Sequence, residues 1–346
     1  MKPIRVLVVD GSPTTCAVFK TELERDPGIV VVGTASTPLA ARAAIKALDP
    51  DVLTLDIRRP GKGGLSFLEK LMRLRPMPVV AVASEIAGGR NARSVQALAL
   101  GAYDIFLKPE DGSRARAYDP LRARVRGASK MRVLLRDGPA TPAPAPDFVP
   151  DGRIVAVGAS TGGVDALITL LSDFPENCPP TVVTQHMPEA FTASFASRLD
   201  AHCAAAVQEA TNGAPLEPGR IYLAPGGSHH LEVMGRERRV CRLREGPTVN
   251  GHRPSVDVLF HSIAKLNAPA LGVILTGMGD DGARGLAAMR EAGARTLGQD
   301  EESSLVYGMP RVAHEMGAVE KQLPLSRMTR AVLEQCNAVS TSARVA

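Results

Sequence analysis

The fold of the second half of the chain is decided by one stretch, Ile154-Val155-Ala156-Val157-Gly158-Ala159-Ser160-Thr161-Gly162-Gly163. It begins with apolar, mostly β-branched residues, which are typical of a strand buried on both faces of a sheet. The small residues that follow predict a tight turn, and a helical pattern begins at residue 164. A buried strand, a tight turn and a helix in succession form the unit from which parallel α/β sheets are built.

Strand-like and helix-like segments alternate outward from this stretch in both directions, which predicts βαβ units. The expected fold class is therefore α/β, with two doubly wound parallel-sheet domains. Strands are predicted at 4–9, 29–32, 52–55, 79–82, 105–107, 154–157, 181–184, 220–223 and 272–276. Helices are predicted at 13–25, 37–48, 64–74, 91–100, 164–172, 190–200, 254–265 and 283–292.

A proline-rich segment separates the two halves. At 346 residues, the chain is longer than one hydrophobic core usually serves. Residues 137–150 contain five prolines and few large apolar side chains, so we expect this segment to run extended and to contribute nothing to a core. The expected domains are therefore 1–136 and 151–346, joined by this linker, with a frayed end over the last ten residues.

The composition is that of an ordinary globular protein, with 45% hydrophobic and 22% charged residues. The five cysteines are widely spaced and form no C-x-x-C pair, which predicts reduced thiols and neither a disulfide framework nor a zinc site. The first apolar run is too short for a signal peptide, and no stretch is long enough to span a membrane. We therefore expect a cytoplasmic protein without membrane insertion.

Basic residues are concentrated between 114 and 136, although the net charge of the whole chain is only +5. Such a patch could bind nucleic acid or an acidic partner. Apolar residues recur among the basic ones near helical spacing, which favours a solvated helix face. These apolar residues are Leu121, Val125, Ala128 and Leu135. Because no base-reading element accompanies them, we expect no nucleic-acid partner.

Ser160 lies on the predicted strand-to-helix turn, where a hydroxyl is exposed above the sheet. Main-chain N–H groups at the helix start, such as that of Thr161, can stabilise an oxyanion there. The pattern Gly158-x-Ser160-x-Gly162 matches a nucleophile elbow, although a serine here would also serve as a helix cap. A Walker phosphate loop would need a lysine where Val164 stands, and the G-x-G-x-x-G spacing of a dinucleotide site is absent.

A nucleophilic serine needs an adjacent base that a third group orients. His186 follows the next predicted strand and would lie at the same sheet edge as Ser160, which makes it the best base among the seven histidines. The loop after the last predicted strand supplies two candidate acids, Asp280 and Asp281. Its glycines also allow close backbone approach, so Met278 is a second oxyanion candidate.

Five stretches around these residues form a recognisable set: Gly-Ala-Ser-Thr-Gly-Gly at 158–163, Gln-His-Met-Pro at 185–188, Ala-Pro-Gly-Gly-Ser-His-His at 224–230, His-Arg-Pro-Ser-Val-Asp at 252–257 and Thr-Gly-Met-Gly-Asp-Asp-Gly-Ala at 276–283. Together they resemble the catalytic domain of chemotaxis protein-glutamate methylesterases over nearly all of 151–320. The resemblance implies Ser160 as the nucleophile and His186 as general base and then general acid. It also selects Asp281 rather than Asp280 as the acid that orients the imidazole.

The same resemblance implies a serine hydrolase that removes γ-methyl esters from glutamates on the cytoplasmic helices of chemoreceptors and releases methanol. Deamidation of receptor glutamines through the same acyl-enzyme is also implied. We expect no metal or organic cofactor for the hydrolysis. Two other functions fit the residues alone: a serine esterase or amidase with another substrate, and a response-regulator scaffold without chemistry.

In the first half, Asp10, Asp56 and Lys108 follow the first, third and fifth predicted strands and would meet at one sheet edge. Two carboxylates and an ammonium group there could hold Mg²⁺ and accept a phosphoryl group. The stretches Val-Val-Asp at 8–10, Leu-Asp at 55–56 and Leu-Lys-Pro at 107–109 resemble the flavodoxin-like receiver domain of response regulators. The resemblance implies Asp56 as phosphoacceptor, Asp10 and Asp56 as Mg²⁺ ligands, and a chemotaxis histidine kinase as phosphodonor.

The receiver pattern is incomplete. Gly11 stands where receivers have a second acid, and Ala83 replaces the Thr or Ser at the end of the fourth strand. Arg58-Arg59 replace the usual Glu-Met before a proline, and one of these guanidinium groups could substitute for the charge of the metal. A protein-interaction module without a chemical switch is therefore the alternative to phosphorylation of Asp56.

Two further pairs of residues are interpreted without a catalytic role. His229 and His230 are adjacent and would point to opposite faces of a strand, and no acid or thiol cluster joins them. We therefore expect loop or substrate-cleft residues rather than metal ligands. Arg253 and Asp257 lie four positions apart at the start of a predicted helix, where we expect a local ion pair.

Overall fold

In a computed structural model, the chain forms two compact units, Met1–Arg136 and Asp137–Ala346. The structure describes residues 2–57, 63–84, 91–109, 117–129, 148–235 and 238–338. Each unit is built around a parallel sheet, which confirms the predicted α/β class. None of the helices within the described ranges is long and apolar enough to cross a membrane.

The sheet of the first unit has five described strands: β1 (Ile4–Val9), β2 (Ile29–Ala35), β3 (Val52–Asp56), β4 (Val79–Ser84) and β5 (Asp104–Lys108). Their order is β2-β1-β3-β4-β5, and every neighbouring pair is parallel. This is the flavodoxin-like order. Because β1 and β3 are neighbours, Asp10 and Asp56 come to the same part of the sheet edge.

The described helices of the first unit are α1 (Pro13–Glu24), α2 (Pro38–Leu48), α3 (Gly64–Leu74), α4 (Asn91–Ala99) and α5 (Asp119–Ala128). Ser12 and Thr37 begin the first two, because each hydroxyl accepts a hydrogen bond from the main chain three residues on and a proline follows. In α5 the buried residues include Leu121, Val125 and Ala128, which agrees with the helix-face interpretation of the basic segment. Residues 114–116 and 130–136 of that segment lie outside the described ranges.

The described part of the second unit contains a seven-stranded parallel sheet and an antiparallel hairpin. The strands are β6 (Ile154–Ala159), β7 (Thr181–Gln185), β8 (Ala206–Glu209), β9 (Arg220–Leu223), β10 (His229–Met234), β11 (Val240–Glu245), β12 (Ala270–Ile274), β13 (Arg295–Gln299) and β14 (Lys321–Leu323). The order across the sheet is β14-β13-β12-β6-β7-β9-β8, and β10 pairs with β11 in the hairpin. The strands β12, β6 and β7 are therefore central neighbours.

The described helices of this unit are α6 (Gly163–Leu171), α7 (Glu189–Asp200), α8 (Val256–Ala264), α9 (Ala283–Glu291), α10 (Met309–Glu315) and α11 (Leu325–Gln335). The four helices and four strands predicted here are confirmed, with shifts of a few residues at their ends. The elements not predicted from the sequence are β8, the β10–β11 hairpin, β13, β14, α10 and α11. These strands contain many polar residues and lack the continuous apolar run of a central strand.

Close packing of α8 on β6 explains the first glycine of the elbow pattern. A Cβ at Gly158 would lie 2.2 Å from Cγ1 of Val256, the first residue of α8. Phe260, one turn further along, is fully buried, and burying such a side chain contributes about 1.5–3 kcal/mol. A larger residue at position 158 would therefore push the start of α8 away from the sheet.

The expectation that 137–150 contributes nothing to a core is wrong at the end of that segment. Phe148 is 6% exposed, and its carbonyl oxygen accepts a hydrogen bond from Asn177. The next residues are also attached to the second unit, since the N–H of Asp151 donates to Cys336. Proline content does not reveal an aromatic ring that finds apolar surface. The frayed end is wrong for its first two residues, because Asn337 forms a bridge with Pro150 and the N–H of Ala338 donates to Val149. Residues 137–147 and 339–346 lie outside the described ranges, so the linker and the rest of the frayed end stay predictions.

Candidate active site

Three neighbouring strands bring the candidate catalytic residues to one edge of the seven-stranded sheet. Ser160 follows β6, His186 follows β7, and Asp281 lies in the loop between β12 and α9. The carboxyl ends of parallel strands share one edge, where the ligands of open α/β sheets bind. The order of strands therefore places residues that are distant in sequence next to each other.

A left-handed glycine shapes the turn that carries Ser160. Gly162 has φ 79°, and α6 begins at the next residue, so the chain changes direction directly after the serine. The N–H of Ser160 donates to the carbonyl oxygen of Thr276 at 3.0 Å, and the carbonyl oxygen of Ser160 accepts from Gly163 at 2.8 Å. Ser160 is 9% exposed, so only a small part of it is open to solvent.

A buried glutamine joins the turns of the candidate nucleophile and the candidate base. Gln185, the last residue of β7, donates from Nε2 to the carbonyl oxygens of Ser160 at 2.8 Å and of His186 at 3.1 Å. The N–H of His186 donates to Ala159 at 3.0 Å. This role of Gln185 is not predicted from the sequence, although the residue stands in the Gln-His-Met-Pro motif.

His186 and Asp281 form a direct hydrogen bond, with 2.7 Å between Nε2 and Oδ2. An ionised carboxylate only accepts, so Nε2 carries the proton and Nδ1 is the basic nitrogen of the neutral ring. Nδ1 is buried and has no hydrogen-bond partner in the described part of the chain. The ring therefore has an unpaired lone pair, as a general base requires.

The carboxylate of Asp281 lies on the N-terminus of α8. It accepts hydrogen bonds from the hydroxyl of Ser255 at 2.8 Å and from the N–H groups of Val256 at 2.7 Å and Asp257 at 3.2 Å. The positive end of the helix dipole favours an anion at this place. Burial acts to raise the pKa of Asp281, but hydrogen bonds from His186 and its other partners lower it to about 2. Asp281 is therefore ionised at neutral pH.

The adjacent acid, Asp280, is turned towards solvent. Its side chain is 54% exposed, and its Oδ2 lies 3.9 Å from Arg284. The loop thus places Asp281, and not Asp280, against His186. The residue types alone had left these two acids equivalent, and only the family motif distinguished them.

The glycine-rich loop after β12 approaches the serine turn closely. A Cβ at Gly277 would lie 2.7 Å from Cβ of Ser160, so glycine is required for this approach. The hydroxyl of Thr276 donates to the carbonyl oxygen of Thr161 at 3.0 Å. Met278 follows in the same loop and is 54% exposed. The two oxyanion candidates, Thr161 and Met278, therefore lie on the two segments that meet at Ser160.

A turn that is not among the predicted features also reaches this site. Val249 and His252 exchange main-chain hydrogen bonds of 3.0 and 2.9 Å around Asn250 and Gly251, whose φ values are 52° and 80°. Positive φ at both central residues is characteristic of a type I′ hairpin turn. The dipeptide Asn-Gly is the strongest short-range signal for such a turn, so the sequence did contain evidence for it.

Two side chains of this turn, those of Asn250 and His252, contact the candidate triad. Asn250 donates from Nδ2 to Asp281 at 2.9 Å and to Asp257 at 2.7 Å. The ring of His252 stacks on the ring of His186, with a centroid distance of 3.7 Å. The acid and the base of the site are therefore each held by one residue of the same turn.

The expected ion pair between Arg253 and Asp257 is wrong. Arg253 instead donates from Nε to the carbonyl oxygen of Gly227 and from Nη1 to that of Gly246, both at 2.6 Å. Asp257 accepts from the N–H of Gly285 at 2.7 Å and so connects α8 to α9. Burial raises the pKa of this carboxyl group. Helical spacing does not apply to the pair because Arg253 precedes α8.

The two adjacent histidines lie in strand β10 and not in a loop. They point to opposite faces, as strand geometry predicts, with side chains 33% exposed for His229 and fully buried for His230. Nδ1 of His230 accepts from the N–H of Ser255 at 3.1 Å, and Nε2 donates to Pro247 at 2.8 Å. The substrate-cleft interpretation is therefore wrong for His230, which supports the residue that binds Asp281.

In the first unit, the predicted acidic and basic residues meet. Nζ of Lys108 lies 2.5 Å from Oδ2 of Asp10 and 3.5 Å from Oδ2 of Asp56. The two aspartates line a cavity of about 290 Å³. Among the described residues, no group of three or more His, Cys, Asp or Glu side chains could hold a metal ion. The pair Asp10 and Asp56 nevertheless suits Mg²⁺, which takes one or two carboxylates together with water and phosphate oxygens.

Of the departures from the receiver pattern, Gly11 lies at this cavity and Ala83 lies in β4, the strand next to β3. Gly11 lines the cavity without a side chain that could bind a metal. Ala83 lies buried in β4 and has no hydroxyl for a phosphoryl oxygen. Arg58 and Arg59 lie outside the described residues, so a guanidinium group in place of the metal stays a prediction.

Comparison with known proteins assigns both units. The CheB methylesterase family model matches residues 155–332, and the response regulator receiver domain model matches residues 6–118. A Caulobacter vibrioides protein named protein-glutamate methylesterase/protein-glutamine glutaminase 1 is 55% identical over 344 residues, which cover 98% of this chain and 99% of that protein. A Rhizobium etli protein with the same name, without the number, is 54% identical over 336 residues, 96% of each chain.

The second unit also has a solved relative. The catalytic domain of the Thermotoga maritima CheB methylesterase aligns with a TM-score of 0.52 and 36% identity, over 53% of this chain and 98% of that chain. The family models and the near full-length identity agree with this structural match. The chain therefore belongs to the CheB methylesterase family, with a receiver domain followed by a methylesterase domain.

Proposed function

We propose that this chain is a protein-glutamate methylesterase that acts in the cytoplasm on glutamate methyl esters of chemoreceptors. The observation that carries the proposal is the hydrogen bond between Nε2 of His186 and Asp281, which leaves Nδ1 of the same imidazole without a hydrogen-bond partner among the described residues. Gln185 ties the main chain of this histidine to that of Ser160. Membership of the methylesterase family supports the same chemistry.

In the proposed reaction, Oγ of Ser160 attacks the ester carbonyl carbon while Nδ1 of His186 takes the hydroxyl proton. Asp281 stabilises the resulting imidazolium. Main-chain N–H groups at Thr161 and Met278 bind the oxyanion of the tetrahedral intermediate. When this intermediate collapses, the bond to the methoxy oxygen breaks, the imidazolium protonates that oxygen, and methanol leaves.

Water then attacks the acyl-enzyme. His186 takes a proton from the water and gives it to Oγ of Ser160 as the acyl bond breaks, which frees the enzyme and a carboxylic acid. The acid then loses its proton to solvent and becomes the glutamate carboxylate. A glutamine side chain enters the same path with ammonia as the leaving group, which gives the deamidase activity. Both proposed reactions use only protein groups and water.

The receiver domain would regulate this activity through phosphorylation of Asp56, with a chemotaxis histidine kinase as the donor. Asp10 and Asp56 would hold Mg²⁺, which neutralises charge on a phosphoryl group during its transfer. Lys108, 3.5 Å from Asp56, would pair with the phosphoryl oxygens. Gly11 and Ala83 each remove one interaction from this site, and they favour an interaction module without phosphorylation as the second candidate role.

Methanol release from methylated receptor membranes tests the proposed activity. We expect the wild type to release methanol and Ser160→Ala to lose on the order of 10³-fold or more. Ser197→Ala, on the exposed face of α7, is a matched control that should keep the wild-type rate. Near-normal turnover by Ser160→Ala would refute the nucleophile assignment. If the wild type releases no methanol, two alternative functions remain: a hydrolase with another substrate, or a scaffold without chemistry.

A further inference from the structure

The ring of His252 lies flat against the ring of His186. The two centroids are 3.7 Å apart, and the planes differ by 6°. The turn that carries His252 is closed by main-chain hydrogen bonds, and its Asn250 binds Asp281. The stacked ring is therefore part of the same rigid turn that holds the acid partner of His186.

A single hydrogen bond cannot determine the plane of an imidazole. His186 is attached to the main chain through Cβ and bound to Asp281 through Nε2. The ring can still tilt about the line through these two points. Because Nδ1 lies off this line, tilting changes the direction of its lone pair. A second ring at van der Waals distance removes this freedom.

His252 is partly buried and faces three titratable groups among the described residues: His186, Asp281 and Asp280. Burial is the main cause that lowers the pKa of His252 to about 4, and repulsion from a protonated His186 is the second. The two aspartates act in the opposite direction. The ring is therefore neutral at pH 7. A neutral aromatic face attracts a neighbouring cation, whereas two charged imidazoles at this distance would repel each other.

We infer that His252 is a positioning residue for His186: its neutral ring sets the plane in which Nδ1 meets the serine proton, and it stabilises the imidazolium that forms when Ser160 attacks. The inference rests on the proposed hydrolase function, because that function assigns the proton transfer to His186. His252 acts through His186 and not on the substrate.

Two variants at position 252 separate stacking from other roles. His252→Ala removes the ring, and His252→Phe keeps a ring that stacks but cannot titrate. In the alanine variant we expect kcat for methanol release to fall on the order of 10- to 100-fold, with KM unchanged, because the base is misdirected. The phenylalanine variant should recover most of this loss. His202→Ala, at an exposed histidine after α7, is the control and should keep the wild-type rate.

NMR spectra of the His186 imidazole give a readout that needs no turnover. The stacked ring shields the ring protons of His186, so we expect their resonances to move downfield in His252→Ala and to stay upfield in His252→Phe. If the alanine variant fails to fold, His252→Gln, which also cannot stack, carries the same expectations. Thermal unfolding shows whether the alanine variant is folded.

Two results would overturn the inference. One is a wild-type kcat together with unchanged His186 resonances in the alanine or glutamine variant. The other is equal impairment of the alanine and phenylalanine variants. If instead the proposed function is wrong, the wild type itself releases no methanol. The His186 resonances test the packing of the two rings independently of that result.

Discussion

Nε2 of Gln185 lies 2.8 Å from the main-chain carbonyl oxygen of Ser160 and donates a hydrogen bond to it. The second proton of the same amide goes to the carbonyl oxygen of His186. Gln185 is 3% exposed, so water cannot easily replace either bond. One side chain therefore holds the turns of the candidate nucleophile and base in register.

We expect Gln185→Leu to lower both thermal stability and kcat. The change removes the hydrogen bonds from Gln185 to the carbonyl oxygens of Ser160 and His186. The carbonyl oxygen of Ser160 keeps Gly163 as a donor, and each lost hydrogen bond costs about 0.5–1.5 kcal/mol. Loss of register between the turns should lower kcat about tenfold or more. Gln322→Leu in β14, where the amide binds the hydroxyl of Tyr307, is the matched control and should keep kcat. Wild-type kcat in Gln185→Leu would show that the amide does not set the register.

Gly277→Ala tests the close approach between the loop and the serine turn. The new Cβ would lie 2.7 Å from Cβ of Ser160 and 2.3 Å from Sδ of Met309, so the loop must move. A displacement of about 1 Å can lower the rate about 10²-fold, and we expect a loss of that order. Gly28→Ala in the first unit is the control and should keep the wild-type rate, because its new Cβ would meet nothing closer than the side-chain ends of Arg126 and Asp26, at 3.1 and 3.2 Å. Equal losses in methanol release would contradict the steric argument.

Asp281→Asn should remove both activity and a part of the stability. The amide cannot hold Nε2 of His186 protonated as an ionised carboxylate does, and we expect kcat to fall on the order of 10³- to 10⁴-fold. The pKa of Asp281 is lowered to about 2. Its stabilisation is therefore present above its ordinary pKa, near 4, and is lost as pH falls through about 2. The free energies of unfolding of wild type and variant, measured with urea, should differ less at pH 2 than at pH 5. An equal difference at the two pH values would contradict this.

His252 should make the catalytic unit sensitive to mild acid. Its pKa is lowered from 6.5 to about 4, so its contribution to stability is complete above pH 6.5 and is lost as pH falls through 4. We expect the unfolding free energy of the wild type to decrease more steeply between pH 6.5 and pH 4 than that of His252→Phe. Urea titrations across this window measure the difference. Parallel curves would mean that His252 titrates normally.

Treatment with acetyl phosphate tests the receiver site. We expect an acid-labile phosphoryl adduct on the wild type in the presence of Mg²⁺ and none on Asp56→Asn, because Asp56 lines the same cavity as Asp10 and lies 3.5 Å from Nζ of Lys108. Asp51→Asn is a control at an exposed aspartate of the same unit and should still form the adduct. Absence of an adduct on the wild type, with or without Mg²⁺, would support the interaction-module role.

The central strands could be predicted from the sequence, whereas the outer strands could not. All residues of β6 and β12 are buried, so their continuous apolar runs are visible in the sequence. β14 is short and β8 is partly exposed, and both lie at the margins of the sheet, where apolar runs are not required. The type I′ turn at Asn250-Gly251 was predictable from its dipeptide, but its role was not, because a turn signal does not indicate what the turn contacts.

The sequence by itself determined the α/β class, the succession of central strands, and the loops that carry Ser160, His186 and the acid pair. These features depend on local apolar patterns and on small residues in turns. Only the tertiary structure placed Asp281 against His186 across 95 positions, put the N-terminus of α8 behind that carboxylate and stacked His252 on the base. Such contacts arise when separate elements pack together, and no periodicity within any one of them encodes the distance between their side chains.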